Sequence, residues 1–162
     1  MMLKVVTIGV YGYDEAGFFA ALREAAVDLF CDIRQRRGVR GSQYAFANSQ
    51  RLQARLATMG IGYLHYKALA PTPAVRARQD AADKASKTAK RQRTTLSPTF
   101  IEAYQSEILN QFDPQELVEA LPADTQVVAL FCVERDPAAC HRSLVAAKLA
   151  EVYQLEVAHL MP

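Results

Sequence analysis

Hydrophobic and polar positions along the chain alternate between short apolar runs and longer stretches with helical spacing. KVVTIGV, residues 4–10, is short, β-branched and punctuated by glycine, and predicts a first strand. Asp14 is placed to cap a helix whose apolar residues Phe18, Phe19, Leu22, Ala25 and Ala26 share one face. VDLFCDI, residues 27–33, is almost continuously apolar, the pattern of a strand buried on both faces. After a basic, glycine-punctuated loop, Asn48 or Ser49 is expected to cap a second helix. Leu52, Leu56 and Met59 form its apolar stripe and Gly60 ends it. A third strand lies within IGYLHYKAL.

The rhythm breaks over residues 73–97, which are alanine-rich, basic and almost free of large apolar residues. Helix is compatible with the middle of this segment, but no core face is evident, so a mobile, largely exposed excursion is expected. Ser97-Pro98 and Asp113-Pro114 each give a cap followed by a first helical position. TQVVALFCV is the fourth and most apolar strand, CHRSLVAAKLAEVY the next helix and LEVAHL the last strand. Alternating strands and helices predict a single α/β domain over 1–162. It is a three-layer sandwich with a mostly parallel sheet of about five strands and helices on both faces.

Composition supports that picture without sharpening it. The chain has 162 residues, 51% apolar and 22% charged, an ordinary globular balance at a length that favours one domain. No apolar run reaches membrane-spanning length. The N-terminus lacks the features of a signal peptide, and three cysteines are too few for a disulfide framework. A cytoplasmic protein with reduced thiols is the expectation. The net charge of +2 hides a sharp division. Residues 73–97 carry seven basic side chains against Asp80 and Asp83, and Arg34, Arg36, Arg37 and Arg40 form a second knot. Phosphate attraction by Arg36, Arg37, Arg91 and Arg93 would give non-specific nucleic-acid binding, since no readout motif accompanies them.

Candidate chemistry gathers where the strands end, the edge at which open parallel sheets bind ligands. Asp32 and Arg34 end the second strand, His65 lies near the end of the third, and Cys132 and Glu134 end the fourth. Cys140, His141 and Arg142 then open a helix, where free N–H groups and the dipole favour an anion. That setting would lower a thiol's pKa and leave Cys140 reachable, more reactive than Cys31 and shielded by phosphate. Cys140 is thus a candidate nucleophile or a packing residue. Glu134 and Asp32 are candidates for proton transfer, or members of structural ion pairs. Cys132 is a core thiol or the redox partner of Cys140. The alternative is a metal shared by these thiols, His141 and Cys31 or His65, but the spacing is not a zinc pattern, so no metal or cofactor is expected.

These residues also carry a resemblance. The strands VDLFCDIR and GIGYLHYKAL, with FCVERDPAACHRSLVAAKLA, make the chain similar to the bacterial and archaeal domain of unknown function 488 family. Its hallmark is a strand ending in Cys-x-Glu, then Cys-His-Arg opening a helix, here Cys132, Glu134, Cys140, His141 and Arg142. The family's usual first turn is Thr-Ile-Gly-His-Ser. Here Val10 and Tyr11 follow Gly9, so this chain either lacks that imidazole or uses His65 or His141 instead. The resemblance implies a compact α/β domain and no particular reaction.

Two functions remain open from the sequence. One is an enzyme acting on a phosphorylated or nucleic-acid-related substrate, with Arg34, His141 and Arg142 binding the anion. The other is a non-catalytic nucleic-acid or protein-interaction module using the basic segments. No membrane partner is expected, and self-association is left open.

Overall fold

The computed structural model describes residues 3–162. Five strands form one sheet: β1 (Lys4–Ile8), β2 (Leu29–Asp32), β3 (Gly62–His65), β4 (Val127–Phe131) and β5 (Glu156–Leu160). Their order is β3-β2-β4-β1-β5, and every pairing is parallel. Register pairs Val6 with Ala129 and Phe30 with the same Ala129. The apolar runs of β2 and β4 therefore lie side by side with both faces covered.

Helices α1 (Glu15–Glu24) and α2 (Ser49–Thr58) cover one face. Phe18, Phe19, Leu22, Leu52 and Leu56 pack there on Val6, Ile8, Phe30 and Phe131. The other face is covered from α3 (Pro73–Ser86), α4 (Pro98–Glu107), α5 (Pro114–Ala120) and α6 (His141–Tyr153). Val75, Phe100, Tyr104, Leu117, Val145 and Leu149 meet Val5, Leu29, Cys31, Val128 and Leu130. Crossover handedness explains the division. The connections out of β1 and β2 run one way along the sheet and those out of β3 and β4 the other. Right-handed crossovers must then lie on opposite faces.

Start signals mostly act as their residue types predict. Asp14, Ser97 and Asp113 accept from the backbone N–H of Gly17, Phe100 and Gln115. Asn48 occupies the cap position of α2 but makes no cap bond; its Oδ1 instead accepts from Val39 N at 2.7 Å and ties down the arginine loop.

The basic excursion departs from expectation in an instructive way. Most of its residues are exposed, but it is a regular helix followed by a docked return strand of chain. Thr72 caps it and Pro73 begins it. Val75 and Gln79, one turn apart, form a narrow buried face. Gln79 Oε1 accepts from Ser97 N at 2.8 Å, and Leu96 N donates to Ala138 O at 2.9 Å. Two apolar anchors and a few polar contacts hold the segment, so a periodicity search finds no stripe.

Candidate functional site

A cavity of about 610 Å³ opens at the carboxyl edge of the sheet. Its walls come from the segments after β1, β2 and β4 and from the excursion, including Tyr11, Arg34, Arg36, Arg40, Arg76, Lys90, Arg91 and Arg93. Cys132, Glu134, Cys140 and His141 also line it. Reversal of crossover direction between β1 and β4 separates the loops there, the usual place for a ligand in such a sheet.

Gly9 lets the two central strand ends come this close. A Cβ at that position would stand 1.8 Å from the Glu134 carbonyl oxygen and 3.0 Å from Arg142 Nη1. The absent side chain is replaced by backbone contact: Val10 N and Tyr11 N both donate to Val133 O, at 3.0 and 3.1 Å. Val10, which follows Gly9, is fully buried in the core.

The Cys-x-Glu turn and the start of α6 bring two thiols against one imidazole. His141 Nδ1 lies 3.6 Å from Cys132 Sγ and 3.8 Å from Cys140 Sγ. Its Nε2 is 2.9 Å from the Ile33 carbonyl oxygen. A carbonyl only accepts, so Nε2 carries a proton, and in its neutral form the ring presents the Nδ1 lone pair to the sulfurs. Cys132 Sγ also donates to Glu134 Oε2 at 3.4 Å. All three cysteines are free thiols.

Burial, not the helix dipole, governs the Cys140 thiol. The residue is 1% exposed. Burial, followed by the neighbouring Cys132, pushes its pKa up to about 11, with His141 acting in the opposite direction. Cys140 is therefore neither the reachable thiol nor the stabilised thiolate that its helix-start position suggests. Burial also raises the Glu134 carboxyl, helped by Cys140 and opposed by Lys90 and Arg93. For His141 burial works downward, but Cys140, the Ile33 carbonyl and Glu134 together outweigh it and raise the imidazole.

The predicted clamps Arg142 and Arg34 and the candidate base Asp32 are placed differently. Arg142 is fully buried and does not line the cavity: Nη1 donates to Glu134 O at 2.6 Å and Nη2 to Arg135 O at 3.1 Å. It braces the Cys-x-Glu turn and is not an anion clamp. Asp32 is also enclosed. Its Oδ1 accepts from Arg34 N and Nε, and its Oδ2 from Arg34 Nη2 and Tyr63 OH. With its acceptor positions filled, Asp32 is an orienting partner of Arg34 and not a free base. Arg34 keeps one side toward the cavity while Nη1 donates to Ala47 O and the guanidinium lies 4.6 Å above the Phe131 ring.

Arg93 corrects the reading of the excursion as surface charge. It is 9% exposed. Nη1 meets Asp83 Oδ2 at 2.6 Å, Nη2 meets Glu134 Oε1 at 2.5 Å, and Nε donates to Ala139 O at 3.3 Å. It is a buried counter-charge for the site and not a nucleic-acid contact. Arg36, Arg40 and Arg91 are exposed at the cavity wall. The Arg91 guanidinium lies 5.4 Å from the Tyr11 ring and 5.1 Å from Tyr44. Arg37 is exposed outside the cavity lining, with its pKa raised chiefly by the neighbouring Tyr63. His65 stands aside, with Nε2 2.8 Å from Arg34 O, and Cys31 belongs to the core on the opposite sheet face.

Comparison with protein families matches residues 16–149 to Domain of unknown function DUF488, well over half of the chain. The chain belongs to that family. In this DUF488 member the matched span contains Cys132, Glu134, Cys140, His141 and Arg142, while Gly9 and Tyr11 precede it. No curated protein and no solved structure matches the chain. Among the described residues, no helix is long and apolar enough to cross a membrane.

Proposed function

We propose that this DUF488 protein is an enzyme acting on a phosphorylated or nucleotide-like substrate in the cavity at the sheet edge. One observation carries the reading. A cavity of about 610 Å³ joins a floor of Cys132, Cys140, His141 and Glu134 to a wall bearing Arg36, Arg40, Arg76, Lys90 and Arg91. The volume suits a small molecule, and guanidinium groups form strong, paired hydrogen bonds with phosphate oxygens. The Tyr11 and Tyr44 rings beside Arg91 add a flat aromatic surface next to that charge. A binding module fits less well. Two arginines of the basic segments, Arg34 and Arg93, are enclosed and paired, and the exposed Arg36, Arg40 and Arg91 surround a concavity instead of tracking a backbone.

Titration with nucleoside monophosphates, their parent nucleosides and inorganic phosphate tests the reading. Phosphate-bearing probes should bind, and nucleosides should bind at least tenfold more weakly. Arg40→Gln and Arg91→Gln should each weaken phosphate-bearing probes about tenfold, the loss of one charge-assisted contact. Absence of binding to every phosphate-bearing probe at low salt removes the proposal. So does tighter binding of long single-stranded nucleic acid that is indifferent to cavity substitutions, the signature of the interaction module.

A further inference from the structure

An anionic substrate explains the arginines but not the floor, where two buried thiols face one imidazole. We propose that Cys132 Sγ, Cys140 Sγ and His141 Nδ1 are three ligands of a zinc-class divalent metal ion, with the fourth coordination position facing the cavity. This deepens the enzyme reading and rests on it for the substrate class, but not for the metal itself.

Geometry supports the assignment first. The three ligand atoms lie within 4.8 Å of one another. Tetrahedral zinc with Zn–S near 2.3 Å and Zn–N near 2.0–2.1 Å separates a sulfur from a nitrogen by roughly 3.5–3.6 Å. The two sulfur–nitrogen separations here are 3.6 and 3.8 Å. The imidazole is also held as metal ligands are. Donation from Nε2 to the Ile33 carbonyl fixes the tautomer and aims the Nδ1 lone pair at the gap between the sulfurs. A packing cluster offers only that one lone pair to two thiols, with Glu134 Oε2 as the alternative partner of Cys132.

Charge balance is the second support. Two thiolates and a divalent cation sum to zero, and the Glu134 carboxylate is matched by Arg93 at 2.5 Å. A buried site tolerates such internal neutrality far better than isolated thiolates. The spacing escapes the usual zinc patterns because the ligands come from a strand end and a helix start, with two of them adjacent in the chain.

Glu134, two residues beyond Cys132, occupies a useful position. Zinc deaminases place a non-ligating Glu in this relation to one ligand, where it acts as general acid and base. A metal-bound water, acidified toward pKa about 7, would give its proton to Glu134. The resulting hydroxide would add to an electrophilic atom of the anionic substrate. Glu134 would then return the proton to the departing group, completing a hydrolysis with no other reactant.

Metal binding is measured without substrate, using the full chain stripped by chelator and then given Zn²⁺ or Co²⁺ alone. One ion per chain should be retained after dialysis. Cobalt should show the near-ultraviolet thiolate charge-transfer band and the visible absorption of a tetrahedral site. Cys132→Ser and Cys140→Ser should each weaken cobalt binding more than tenfold, whereas Cys31→Ala and Glu134→Gln should retain it. Should a serine variant fail to fold, the wild-type chain still decides the matter, because Zn²⁺ should raise its Tm and chelator should reverse the gain. Absence of retained metal together with absence of the thiolate band overturns the proposal, as does equal binding by a folded serine variant. A Cys132–Cys140 disulfide forming in a chain that takes up no metal also overturns it, in favour of a redox pair. Phosphate-probe binding to the stripped protein reports separately on the enzyme reading.

Discussion

Single side chains at this sheet edge differ in how much they can change. The metal-free Cys140 thiol has a pKa near 11 against an ordinary value of 9.0, so the native state holds its proton more tightly than the unfolded chain. Through Cys140, stability is full below pH 9 and falls as pH rises from about 9 through about 11. Alkylation of the metal-free protein should be slow at neutral pH and should accelerate toward pH 11. Cys31, held up to about 12 by burial and then by Asp32, should respond at still higher pH. Mass spectrometry of each labelled cysteine checks the order. Asp32→Asn should leave Arg34 buried beside a neutral partner and cost about 3–5 kcal/mol in urea unfolding, as broken buried pairs do. Gly9→Ala should cost about 1–3 kcal/mol or more by the same measurement, because the intruding methyl group meets backbone that cannot rotate away.

Among the elements, the strands and most helix starts were legible from residue pattern, because local sequence determines them. Asp14, Ser97 and Asp113 need only a nearby free N–H, and β2 and β4 declare their burial through unbroken apolar runs. The gathering of the strand-end residues at the carboxyl edge followed from the expected parallel direction alone. Other features depended on distance across the fold. Nothing local separates Arg93 from Arg91, yet one is a buried partner of Glu134 and the other an exposed neighbour of two tyrosines. Likewise, the helix-start rule for Cys140 was sound as far as it went, but depth of burial outweighs the dipole and is absent from a local reading. The return of the excursion also relies on such distant contacts. Arg93→Gln should therefore speed amide exchange over residues 88–97 while β4 stays protected, a contrast visible by hydrogen-exchange mass spectrometry.

For the whole molecule, the important property is the division of charge by depth. Arg34 and Arg93 are neutralised inside, so the exposed arginines near the cavity supply the attraction that a dissolved anion feels. Association with phosphate-bearing probes should weaken as ionic strength rises, because exposed charges are screened beyond about 8–10 Å in ordinary buffers. Arg36→Gln combined with Arg40→Gln should reduce that salt dependence in stopped-flow association rates. Neither substitution removes a bond within the floor, so near-unchanged Tm values should accompany the loss.

Arg93 has a consequence for protein engineering. Its two carboxylate partners lie on different parts of the fold, Asp83 within the excursion and Glu134 at the end of the Cys-x-Glu strand. Residues 73–97 are thus not an interchangeable cassette, despite having few large apolar side chains to place. A chimera carrying a relative's segment of the same length inherits a compatible pocket only if the graft also delivers a cation to Glu134 Oε1. A graft without one would strand a desolvated carboxylate, and the inserted segment would have to be redesigned together with its host.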